Sequence, residues 1–132
     1  AFCNEGNIIK PYLVYQNEEV AEYWIPGAFS NETASRVLEG TKKVVNDPNG
    51  TGYAAHRDDT ILAGKTGTAE IKKSKEDTSG TELGWFAIYT AEKDIECPIL
   101  IISMVEDVKG RGGSGYVVKK DSLVLEEWFS SH

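Results

Sequence analysis

Ala34, Val37, Leu38, Thr41, Val44 and Val45 recur at helical spacing, so a single apolar stripe predicts an amphipathic helix over residues 31–46. Ser30 stands before it as an N-cap, and Lys42 and Lys43 complement the helix dipole in its last turns. Pro48, Asn49 and Gly50 end it and open a glycine-bearing loop, Gly50-Thr51-Gly52-Tyr53-Ala54-Ala55. Beyond the loop the period changes. Leu62-Ala63-Gly64 leads into Lys65-Thr66-Gly67-Thr68-Ala69-Glu70-Ile71, which alternates like a strand. Residues 83–91 and 98–105 are apolar on both faces, as expected of buried central strands, with residues 92–97 joining them as a short hairpin. Residues 72–81 are polar and charged and read as a solvated connection between two antiparallel strands.

The two ends are less periodic. Residues 1–6 read as the last turn of a helix closed by Gly6, and residues 8–14 as an extended segment entering a strand. Residues 15–29, with Pro26-Gly27, read as a loop or hairpin return. After the glycine cluster Gly110, Gly112, Gly113 and Gly115, the residues Val117, Val118, Leu125, Trp128 and Phe129 predict a terminal amphipathic helix, in a register blurred by Asp121 and Val124. The order strand, helix, three strands, helix, with short connections between the last three strands, predicts an α+β fold: an antiparallel sheet with helices packed against it.

Composition narrows the function classes. At 132 residues, 40% hydrophobic and 27% charged, the chain fits one domain with a real core, and it holds no repeat, low-complexity tract or long apolar run. A net charge of −7 excludes a general phosphate-backbone binder, so nucleic acid is not an expected partner. Cys3 and Cys97 make no disulfide framework or metal pattern and read as small buried hydrophobes, with a long-range disulfide between them as the alternative; His56 and His132 are too scattered for a zinc site. No cofactor or metal is expected. The start, Ala1-Phe2-Cys3-Asn4, has neither an initiator Met nor a signal peptide, which suggests a fragment of a longer chain.

The chemistry concentrates in Lys65-Thr66-Gly67-Thr68. An amine, two hydroxyls and a glycine within four residues offer positive charge, hydroxyl donors and close backbone approach to one ligand, a combination suited to a carboxylate. A P-loop is excluded, because its first glycine falls on Asp59 and a strand, not a helix, follows the Lys-Thr pair. Three such residues also occur by chance on exposed strands.

The extent of the pattern decides the matter. Thr51-Gly52, then Gly64-Lys65-Thr66-Gly67-Thr68-Ala69-Glu70, then Gly84-Trp85-Phe86, resembles the C-terminal part of penicillin-binding protein transpeptidase domains. The opening Asn4-Glu5-Gly6 through Lys10-Pro11, and the late Val105-Glu106-Asp107 with Gly112-Gly113-Ser114-Gly115-Tyr116, extend the resemblance to most of the chain. That superfamily, which includes serine β-lactamases, carries Ser-x-x-Lys, a Ser-Asp-Asn type triplet and Lys-Thr-Gly. Only the third is present. None of the nine serines has lysine three residues later or asparagine two later; Tyr15-Gln16-Asn17 matches a Tyr-x-Asn variant of the second motif but follows Lys10-Pro11 and reads as coincidence.

The resemblance implies a partial β-lactamase/transpeptidase-like fold over residues 1–132, the C-terminal fragment of a D,D-transpeptidase domain. It implies that Lys65 supplies positive potential, that Thr66 and Thr68 bind the substrate carboxylate, that Gly67 lets the strand come close, and that the Thr68 N–H is one arm of the oxyanion hole. Lys65 and Thr68 are thus the catalytic candidates, and Lys65, Thr66, Gly67 and Thr68 the substrate-binding ones. Trp85 and Phe86 are expected to pack the neighbouring strand against a helix, and Glu70 to be a local ion-pair partner or a catalytic group. With its nucleophile outside the chain, the fragment is expected to be inactive alone. The partners implied for the parent are peptidoglycan stem peptides and β-lactams, at the extracytoplasmic face of the bacterial cell membrane; the exposed half-core of the fragment invites dimerisation or strand exchange. A β-lactam sensor domain of a membrane receptor and a serine β-lactamase share the fold and the third motif, and a plain binding module with a chance motif stands outside the family.

Overall fold

The computed structural model describes residues 1–13, 22–92 and 95–132, which fall into two compact units, Ala1–Gly40 and Thr41–His132. Within the first unit, β1 (Ile8–Ile9) pairs antiparallel with β2 (Tyr23–Ile25), Ile8 opposite Ile25. Residues 1–6 form hydrogen-bonded turns rather than a helical end, although Gly6, at φ +87°, has the left-handed conformation expected of a closing glycine. β1 is shorter than the predicted extended segment. One further bond, Lys10 N–H to Glu22 O, continues the pairing, and Pro11 then has no N–H to donate. β2 falls in the span read as a loop or hairpin return and, by its antiparallel pairing with β1, is a return strand; Tyr15-Gln16-Asn17 lies outside the described residues.

α1 (Asn31–Asn46) occupies its predicted span. Ser30 Oγ accepts the Thr33 N–H at 3.1 Å, the N-cap the sequence called for. Its last turn belongs to the second unit. There Val45 is fully buried, and Asn46 Nδ2 donates to Leu62 O at 2.7 Å.

A 3-10 turn (Tyr53–Ala55) precedes three antiparallel strands, β3 (Leu62–Glu70), β4 (Glu82–Thr90) and β5 (Leu100–Val105), in the spatial order β3-β4-β5. Lys65 lies opposite Ala87, Thr66 opposite Phe86 and Trp85 opposite Met104. α2 (Ser114–Ser131) packs across all three strands. The core between them is Val45, Leu62, Phe86, Ile88, Val108, Val117, Val118 and Leu125. Gly84 permits this approach: a Cβ there would lie 2.8 Å from Val117 Cγ2, inside van der Waals contact.

Three expectations are corrected. Strand β5 is an edge strand with one open face, carrying exposed Leu100, Ile102 and Met104, so its apolar run does not reflect burial on both sides. Trp85 shares that face and is 42% exposed, whereas Phe86, one residue on and pointing the other way, is buried against the helices as expected. Neither cysteine is buried: Cys3 sits in the exposed opening turns and Cys97 is half-buried.

The blurred register of α2 has a physical explanation. Val117, Val118, Asp121 and Leu125 are its buried positions, so the carboxylate occupies the inward stripe and Val124 faces out. Asp121 is 3% exposed and accepts the Ser103 hydroxyl on Oδ1 at 2.7 Å, while its buried Oδ2 has no hydrogen-bond partner. Burial pushes its pKa up, partly offset by the Ser103 bond. The folded state therefore binds its proton more tightly than the unfolded chain, so stability falls as pH rises through the window from the ordinary carboxylate value to the raised one. Replacing Asp121 with Asn is expected to flatten that slope and to stabilise the fold at pH 7 by about 1 kcal/mol, measured by urea denaturation at pH 4.5 and 7.

Candidate functional site

The candidate residues lie on β3, at the edge of the sheet. Ile61 O accepts the Ala91 N–H and Ile71 N–H donates to Thr81 O, so odd-numbered residues of β3 turn their backbone groups toward β4. By the two-residue period of a strand, the even ones, including Thr66 and Thr68, turn theirs to the free edge. Two outward carbonyls are capped: Leu62 O by the Asn46 amide, and Thr66 O by Lys65 Nζ at 2.5 Å. The Thr68 N–H faces the open edge one step further along.

The side chains divide by face. Lys65 is exposed, on the same face as Trp85, Ala87, Ile102 and Met104. Thr66 is 8% exposed, with Oγ1 2.8 Å from Thr51 Oγ1, so its hydroxyl is engaged behind the strand. Thr68 is exposed, and its Oγ1 accepts the Ser114 N–H at 3.3 Å from the start of α2. Of the two hydroxyls, Thr68 is the one open to a ligand. Gly67 is not demanded by packing within the chain, since a Cβ there would meet only Trp85 Cβ at an ordinary 3.5 Å. Glu70, the ambiguous acid, forms an ion pair with Lys72.

Sequence reasoning missed the Thr51 and Ser114 contacts. The quoted runs contain both residues, but nothing local signals a bond across 15 or 46 residues. A second polar depression, of about 280 Å³, holds His56, Arg57, Asp59 and Glu92. Its charges are paired internally, Arg57 Nε with Asp59 at 2.8 Å and the Thr60 hydroxyl with Glu92 at 2.9 Å, so they serve local structure. Among the described residues no group of three or more His, Cys, Asp or Glu could hold a metal ion, and no helix is long and apolar enough to cross a membrane.

An antiparallel sheet backed by helices carries a lysine-threonine-glycine strand on its free edge, the third of the three motifs of penicillin-binding proteins and serine β-lactamases. The family described as penicillin binding protein transpeptidase domain matches residues 1–122, and the chain belongs to that family. It is 41% identical over 120 residues to penicillin-binding protein 3 of Bacillus subtilis (strain 168), covering 90% of this chain and 17% of that protein. The D,D-transpeptidase domain of a peptidoglycan glycosyltransferase from Eggerthella lenta aligns with a TM-score of 0.61 at 27% identity, over 96% of this chain and 30% of its own. A putative peptidoglycan glycosyltransferase from Atopobium parvulum shares the fold, with a TM-score of 0.64 at 22% identity over 92% of this chain and 29% of its own. The chain thus spans a minor part of each relative's length.

Proposed function

We propose that this chain is the C-terminal part of a peptidoglycan D,D-transpeptidase and forms one wall of its cleft, the nucleophilic serine being contributed by residues outside 1–132. The observation that carries this reading is the Thr68 edge: an outward N–H and an exposed hydroxyl at one residue, beside the Lys65 charge, in a chain of this family. In the parent, the serine Oγ attacks the carbonyl of a D-alanyl-D-alanine peptide bond and its proton passes to a base outside this chain. The tetrahedral oxyanion is held by the Thr68 N–H, a donor of the kind worth about 3 kcal/mol in the transition state. The C–N bond then breaks, D-alanine leaves as a protonated amine, and the acyl group passes to the amine of a neighbouring stem peptide.

Thr68 Oγ1 donates to the substrate carboxylate, Lys65 adds positive potential, and Gly67 lets substrate lie close to the strand. Thr66 supports the site from behind through Thr51, within reach of the carboxylate only if that bond opens. β-Lactams acylate the same serine. The parent acts at the extracytoplasmic face of the cell membrane. The exposed edge of β5, with no charge at any of its six positions, supports strand pairing between copies of the isolated chain.

Incubating the isolated 132-residue chain with a fluorescent penicillin is expected to give no covalent label, while the full-length protein is labelled. Stable acylation of the isolated chain would sink this reading.

A further inference from the structure

α2 begins without a side-chain cap of its own. Its N-cap is Gly113, at φ +59° and ψ −138°, and no side chain of the cap residue receives a first-turn N–H. The Ser114 N–H instead crosses to another element and donates to Thr68 Oγ1. This arrangement is anchored in the core. Val108 is fully buried, its N–H donates to Glu82 O of β4 at 2.9 Å, and its carbonyl accepts the N–H groups of Arg111 at 2.9 Å and Gly113 at 3.3 Å. Positive φ angles at Gly110, Gly112 and Gly113 let the chain turn back within that span to bring Ser114 N to β3.

A threonine hydroxyl has one proton and two acceptor lone pairs. With one lone pair taken by Ser114 N–H, the proton is directed away from α2. We propose that the main-chain N–H of Ser114 is a positioning group for acyl transfer, orienting the Thr68 hydroxyl so that its proton points at the substrate carboxylate. This inference rests on the proposed function and adds to it a group on a different element. It also gives the glycine loop a role that packing alone does not supply.

Ser114→Pro tests it, because proline is well accepted at the first helical position and removes the N–H in question, with Ser114→Ala, which loses the same hydroxyl but keeps the N–H, as its reference. In the full-length protein, acylation by a penicillin with its free carboxylate is expected to slow about tenfold, the size of a lost hydrogen bond to a charged group. Acylation by the corresponding methyl ester, whose uncharged carbonyl accepts a weaker hydrogen bond, is expected to slow by less. Gly115→Ala, which retains the N–H and meets nothing within 4 Å, is expected to match the unsubstituted protein with both compounds. In a Thr68→Ala background, Ser114→Pro is expected to cost nothing further, a result that simple misfolding would not give. An unchanged rate with the free acid, or an equal loss with acid and ester, overturns the positioning role while leaving the proposed function standing. Absence of label on the unsubstituted full-length protein overturns both.

Discussion

Lys65→Ala in the full-length protein is expected to slow acylation by penicillin about 100-fold, with little change in thermal stability. The first half follows from charge. The ammonium, tethered to Thr66 O at the free edge of β3, is the positive group nearest the Thr68 N–H and hydroxyl in sequence, and preorganised donors at such sites are worth about two to three orders of magnitude in rate. The second half follows from exposure: Lys65 lies on the open face of the sheet and contributes nothing to the core. Stopped-flow acylation together with a thermal melt reads both. A rate within twofold of the unsubstituted protein would remove Lys65 from the acylation machinery and contradict the role assigned to it.

Phe86→Ala is expected to have the largest effect on stability. Phe86 is fully buried at the middle of the central strand, opposite Thr66, and its ring edge lies 3.1 Å from where a Cβ on Gly64 would sit. Removing the ring takes away transfer free energy and leaves a void bounded by β3, the end of α1 and α2, at a cost of about 3 to 5 kcal/mol. A thermal melt should show Tm lowered by about 10 °C or more. The void lies directly behind the motif, so the variant should also acylate more slowly than its folded fraction predicts. A Tm within 2 °C of the unsubstituted value would contradict this placement of the core.

The elements were legible where one physical signal dominated. Residues 31–46 combine a full apolar stripe with a cap at Ser30 and breakers from Pro48 onward, and α1 has those bounds. Periodicity could not report the strand order. Leu100, Ile102 and Met104 read as buried because an apolar run looks the same whether or not a second layer covers its face of the sheet, the face that Trp85 of central β4 shares. β2, three residues long and exposed, had too little pattern to separate it from a turn. Asp121 misled in the other direction, since a charge in an apolar stripe argues for a different register until a partner such as Ser103 accounts for it.

The site was legible as residue types and opaque as geometry. Lysine, threonine and glycine in a row marked a candidate carboxylate grip, and the resemblance over the whole run was needed to set it apart from a polar strand. The two threonines look equivalent in sequence. They share a face of β3, yet Thr51 closes over Thr66 while Thr68 stays exposed beside Ser114, and both partners come from loops whose folding is set by long-range contacts.

Peptide mapping of the full-length protein after acylation by penicillin is the most direct test that β3 forms one wall of a shared cleft. The account predicts a single label on a serine outside residues 1–132, diminished by Lys65→Ala. Label on any of the nine serines within the chain, or none anywhere, would contradict it.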